Sequence, residues 1–270
     1  MAKSGLSSFQ AGSKALAGAA HREPTAWSIA GGVPAGRIYL ANVGVNASHR
    51  LRSPLQADGT FTLVTIPEPA GLRGAGLRTY GNVPELAAVV PERLHRQPTH
   101  YDPEFETRTY GDNCERAARA VALRQVHAGD CIAFIARLHD ATGPLFALVG
   151  ILEVAAILPN VRARPAPEEL RRFGANAHIR RALVNPRWWD GFWVFAGTAR
   201  SGLLRRAVPI GRAEADRLLR DRAGAPWAWP AGRSDLQTIG SYTRTCRCII
   251  DPSSAPDRAA AFWQLVGEMG

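Results

Sequence analysis

Two neighbouring stretches collect residue types that could do chemistry on a nucleoside. Tyr101-Asp102-Pro103-Glu104-Phe105-Glu106 and Tyr110-Gly111-Asp112-Asn113 place four carboxylates and two tyrosines within a dozen residues. A carboxylate facing a bound nucleoside can activate water or stabilise an oxocarbenium-like sugar. Asp102, Glu104 and Asp112 are therefore candidate catalytic groups, and Asn113 is a candidate for placing the water or reading a base edge. The alternative is that Asp112 only caps a helix while the other carboxylates pair with surface arginines.

Aromatic residues supply a second set. Trp188, Trp189 and Trp193 lie close together, and Trp227 and Trp229 follow. Aromatic rings beside arginines suit base stacking or a pocket for an extruded base; core packing is the competing fate. Tyr101, Tyr110, Asn46, Trp188, Trp189 and His178 are candidate base contacts. Arg50, Arg52, Arg73, Arg78, Arg180 and Arg181 are candidate phosphate contacts, each with the alternative of a solvated surface residue.

The charge balance gives these residues a setting. Lys plus Arg number 33 against 23 Asp plus Glu, a net +10 over 270 residues. Such a field concentrates a polyanion and speeds its encounter. A GC-rich genome accounts for arginine over lysine, but less well for the excess of cations. The only lysines are Lys3 and Lys14. A Schiff-base route to strand cleavage is therefore closed unless one of these, or the N-terminal amine, reaches the site.

Several classes are disfavoured. No G-x-x-x-x-G-K-[ST], G-x-S-x-G or H-E-x-x-H pattern occurs, and Gly71 to Gly76 does not lead a clear strand into a helix. No cofactor and no metal centre are expected. The cysteines form no dense disulfide pattern, and Cys246-Arg-Cys248 is read as a strand with its two thiols on opposite faces. No apolar run reaches membrane-spanning length, and no secretion signal is recognised near the start, so a cytoplasmic protein is expected.

The elements that must position these residues point to one α+β domain over 36–270 behind a flexible extension over 1–35. Strands are expected over 38–45, 61–66, 131–138, 145–158 and 245–250, with Asp58-Gly59 as a turn. Helices are expected from an Asp112 cap to about 126, over 165–173, 176–183 and 212–222, and after Asp257. The fold is a mixed or antiparallel sheet with surrounding helices, or a PUA-like barrel.

The barrel comes from a resemblance. Ala128-Gly129-Asp130 leading into Cys131-Ile132-Ala133-Phe134, then Leu148-Val149-Gly150-Ile151-Leu152, is similar over about 30 residues to the PUA-like EVE, YTH and ASCH domains. Those domains commonly bind nucleic acid, several by enclosing a modified base. A wider resemblance rests on Val43-Gly44-Val45-Asn46, Asp58-Gly59-Thr60-Phe61, Ile66-Pro67-Glu68, the block from Asp102 to Asp112, the Gly129-Asp130 strand, Asn176-Ala177-His178 and Ser201-Gly202-Leu203-Leu204. In this order they look like the nucleotide-modification-associated domain family, type 3. The resemblance implies a modified or hypermodified base in DNA, most simply double-stranded, as the substrate. It also suggests kinship of setting with phage-defence DNA glycosylases. With the lysine argument, a monofunctional glycosylase acting on a flipped base is expected. A non-catalytic reader of modified bases and an enzyme acting on modified nucleotides remain the alternatives.

Overall fold

The computed structural model describes residue 27 and residues 32–269. Among these residues ten strands form in chain order: β1 (Ile38–Val43), β2 (Ser53–Pro54), β3 (Ile66–Pro67), β4 (Thr99–His100), β5 (Thr109–Asp112), β6 (Cys131–His139), β7 (Pro144–Val161), β8 (Phe192–Gly197), β9 (Gly202–Pro209) and β10 (Arg247–Ile250). The helices are α1 (Pro84–Ala87), α2 (Pro167–Phe173), α3 (Ala177–Val184), α4 (Arg212–Leu218), α5 (Asp235–Tyr242) and α6 (Pro256–Met269), with 3-10 turns between.

The β6–β7 hairpin is the spine. Its turn is set by Asp140, whose Oδ1 accepts from the amides of Thr142 and Gly143. Cys131, Ala133 and Ile135 of β6 enter one apolar cluster with Trp27, Phe262 and Trp263. Ile132, Phe134 and Ala136 enter another with Tyr39, Phe105, Tyr110 and Phe195. A strand buried on both faces reads as a continuous apolar run, which is why 131–138 was legible as a strand. β7 is long enough to be shared. Its first part pairs with β6 and β9 and its second part with β8, with register shifts between Val154 and Ala156.

The sheet order is β10-β1-β6-β7-β8-β5, with β2 beside β6 and β9 beside β7. β1 runs parallel to β6 and antiparallel to β10. The ends of this order, β10 and β5, are not paired with each other, so the sheet is open and the α+β class holds without the barrel.

Several local expectations are corrected. Asp112 does not cap a helix: it closes β5, in register with Trp193 of β8. Sheet pairing claims its backbone, and the chain beyond it forms turns and a 3-10 segment over Val121–Gln125. The strand expected over 61–66 reduces to a bridge from Phe61 to Leu55 and to β3, which pairs with β4. Cys246 and Cys248 pack on the same cluster, because side chains two apart share a face. β9 and α5 were not anticipated. The extension expected over 1–35 lies largely outside the described residues; within it, Trp27 is buried and stacked on Trp263 with ring centroids 5.6 Å apart.

Candidate functional site

Three separate segments meet, one of them the edge strand β5. The first is the β3–β4 pair, in which Ile66 faces His100. It rests on a small cluster of Val64, Tyr80, Val83, Leu86 and Tyr101. Tyr80 Oη donates to the Thr65 carbonyl at 2.8 Å, and the Thr65 and Thr99 hydroxyls bond at 2.6 Å. This frame places Glu68 Oε1 2.8 Å from His100 Nδ1. The second segment is α3, whose N-cap is Asn176. The Asn176 Oδ1 accepts from the His178 amide at 3.0 Å, while its Nδ2 donates to Asp102 Oδ1 at 3.2 Å. One side chain thus starts the helix and ties it to the acidic block. The third is β5 itself: the Gly111 amide donates to Asp102 Oδ2 at 2.9 Å. Gly111 has to be glycine here, since a Cβ would stand 2.7 Å from His178 Cδ2 and 2.8 Å from Asn176 Oδ1.

These ties bring His100, Asp102 and His178 together. The two Nε2 atoms are 3.2 Å apart, and Asp102 Oδ2 lies 3.8 Å from that of His100 and 3.6 Å from that of His178. Among the described residues these three have donor atoms able to share one metal ion. Burial raises the Asp102 carboxyl well above its usual range, reinforced by Asp112 and Glu104 and opposed by the Gly111 amide and Asn176. Burial lowers His178 well below an ordinary histidine, helped by His100, Arg181 and Arg119. Arg181 Nη2 lies 3.0 Å from His178 Nδ1, and its guanidinium sits 4.2 Å from the centre of the Trp188 ring.

The trio forms the floor of a cleft of about 990 Å³. Arg119, Arg137, Arg181, Arg233 and Arg244 line it, as do Asn46, Tyr110, Asp112, Asn113, Trp188 and Asp190. A volume of this size suits a nucleotide-sized ligand. Asn113 Nδ2 donates to Asp190 Oδ2 at 2.9 Å, and the other Asp190 oxygen is buried without a hydrogen-bond partner.

The sequence-derived candidates divide accordingly. Asp102, Asp112, Asn113, Tyr110, Asn46, His178, Trp188 and Arg181 all line the cleft. Asp112 is already engaged by Arg119, Tyr110 and the Asn113 amide. Glu104 does not reach the cleft: it is fully buried between Arg78 and Arg180, at 3.1 and 2.9 Å, which occupies both of those arginines. Burial raises the Glu104 carboxyl even so. Tyr101 is buried with its hydroxyl on Glu85 at 2.6 Å. Trp189 stacks on Phe192. Arg50, Arg52 and Arg73 are exposed away from the cleft walls. Glu68, His100, Asp190 and the arginines at 119, 137, 233 and 244 were missed. His100 and Glu68 carried a usable signal, since His100 adjoins the acidic block that starts at Tyr101 and Glu68 ends the Ile66-Pro67-Glu68 motif.

Residues 37–236, about three quarters of the chain, match the family model described as nucleotide modification associated domain 3. No curated protein and no solved structure matches the chain. No helix among the described residues is long and apolar enough to cross a membrane.

Proposed function

The chain belongs to the nucleotide modification associated domain 3 family, and from that membership we propose that its cleft takes a modified nucleotide of DNA and hydrolyses the N-glycosidic bond to the modified base. The observation that carries this reading is the convergence of His100, Asp102 and His178 on the floor of a cleft lined by five arginines. The arginines suit the phosphates of a polyanion, and the depth of the trio requires the target base to leave its stack. Trp188, with Arg181 over its face, offers a surface for that base.

In this reading Asp190 activates the water. Asn113 holds one of its oxygens and the other is unpartnered. Water loses a proton to Asp190 as its oxygen attacks C1′. The C1′–N bond breaks with its electron pair passing to the base, and the His100–Asp102–His178 group supplies the proton that the departing nitrogen takes up. No lysine lies beyond Lys14, which favours release of the base without an imine and without strand cleavage. Such an enzyme would strip hypermodified bases from phage DNA.

The test is to incubate the protein with duplex DNA carrying different base modifications and with unmodified DNA. Free base is measured by mass spectrometry, and abasic sites by strand breakage with and without alkali. Released base with breaks only after alkali is the expected result, and Asp190→Asn should abolish release while retaining DNA. Retention of modified DNA with no base released makes the protein a reader instead, and breaks without alkali refute the imine-free route.

A further inference from the structure

We propose that His100, Asp102 and His178 are a binding site for one divalent transition-metal ion of zinc-like ligand preference. The separations of 3.2, 3.6 and 3.8 Å among the two Nε2 atoms and Asp102 Oδ2 define a triangle. The point equidistant from its corners lies about 2.1 Å from each, and zinc binds histidine nitrogen at about 2.0–2.1 Å and carboxylate oxygen at about 2.0–2.2 Å. Three protein ligands leave a fourth position for water or substrate, as catalytic zinc sites do, and all three residues line the cleft.

The surroundings suit ligation. A metal-bound histidine usually donates its far N–H to a carboxylate, which fixes the tautomer that presents the other nitrogen. His100 does this, with Nδ1 2.8 Å from Glu68 Oε1. Asp102 is held by the Gly111 amide and Asn176 Nδ2. His178 differs: its Nδ1 faces Arg181 Nη2, a donor, at 3.0 Å. A metal on Nε2 leaves the ring proton on Nδ1, so Arg181 must turn aside. Its new partner is at hand, because Arg181 Nη1 lies 3.7 Å from Glu68 Oε2, a buried oxygen without a hydrogen-bond partner. Glu68 therefore positions His100 through one oxygen and receives Arg181 on the other. His100 and His178 are 78 residues apart in sequence, so no local ligand spacing announces the site.

This deepens the function proposed above and rests on it only for the role assigned: the cation takes the place of the proton delivered to the departing base. The test needs no DNA. The full chain is stripped with a chelator, dialysed against zinc chloride and analysed for bound zinc, and cobalt(II) is added separately to record its visible absorption. One retained equivalent is expected, with a cobalt spectrum of low coordination number. His100→Ala and His178→Ala should lose that equivalent. His49→Ala, a cleft-lining histidine outside the trio, should keep it, and Glu68→Gln should weaken binding by about 10–100-fold. No zinc retained by the wild-type chain, or equal retention by both trio variants, overturns the site. Retained zinc with no base released would defeat the glycosidic reading alone; base released undiminished in chelator by a zinc-free chain would defeat the role assigned to the cation alone.

Discussion

Gly111→Ala is the sharpest probe of how the site is held together. The added Cβ would stand 2.7 Å from His178 Cδ2 and 2.8 Å from Asn176 Oδ1. Non-bonded carbons settle at about 3.5–4.0 Å, so the imidazole must retreat by about 0.8 Å or more, or β5 must shift against β8. Overpacking of this kind costs about 1–3 kcal/mol. For a chain of this size each kcal/mol lowers Tm by about 2–4 °C, so a fall of about 2–12 °C is expected. The functional loss should be larger in proportion, because any retreat of the imidazole changes the 3.2 Å spacing of the histidines, and a misplacement of about 1 Å can cost about 100-fold in rate. Thermal unfolding followed by circular dichroism gives the first quantity; base release and zinc retention give the second. The control is Gly232→Ala, where a Cβ meets nothing within 4 Å and stability should stay within about 0.5 kcal/mol of wild type. If Gly111→Ala melts alongside Gly232→Ala and keeps full activity, the close approach of β5 to α3 does not organise the site.

Two further outcomes follow from electrostatics. Burial pushes the Glu153 carboxyl up, but the bonds from Arg200 and the Thr198 hydroxyl outweigh it and leave the group below its usual value of 4.5. A depressed carboxylate contributes stability that is present above its unfolded pKa and lost as pH falls through the folded one. Glu153→Gln should thus cost about 1–3 kcal/mol at pH 7 and flatten the acid limb of stability below about pH 4.5, as measured by urea unfolding across pH; an unchanged acid limb would refute the assignment. Arg137→Ala and Arg244→Ala should weaken DNA binding at every sequence. Each should also reduce the slope of log affinity against log salt by about 0.9 for every phosphate it neutralises in the wild-type chain; unchanged slopes would remove both residues from the phosphate path.

The β6–β7 hairpin was legible because its side chains are apolar on both faces and its turn has local chemistry in Asp140 and Gly143. The start of α3 was legible for the same reason, since Asn176 bonds to a backbone amide two residues on. Asp112 misled because it has the chemistry of a cap, while pairing with Trp193 across the sheet decided its conformation instead. Composition showed an arginine-rich chain with a compact acidic block, but not how the carboxylates of that block divide between the cleft and the interior. Asp102 and Glu104 are two residues apart and both carboxylates; one lies on the cleft floor beside two histidines, the other is enclosed by Arg78 and Arg180. Their different fates depend on partners up to 76 residues away, which only the folding of α3 and the β3–β4 pair against β5 brings into range. The residue types and their approximate address thus belong to the sequence, whereas the meeting of His100, Asp102 and His178 belongs to the tertiary structure, because local propensity carries no information about which distant charge each carboxylate will face.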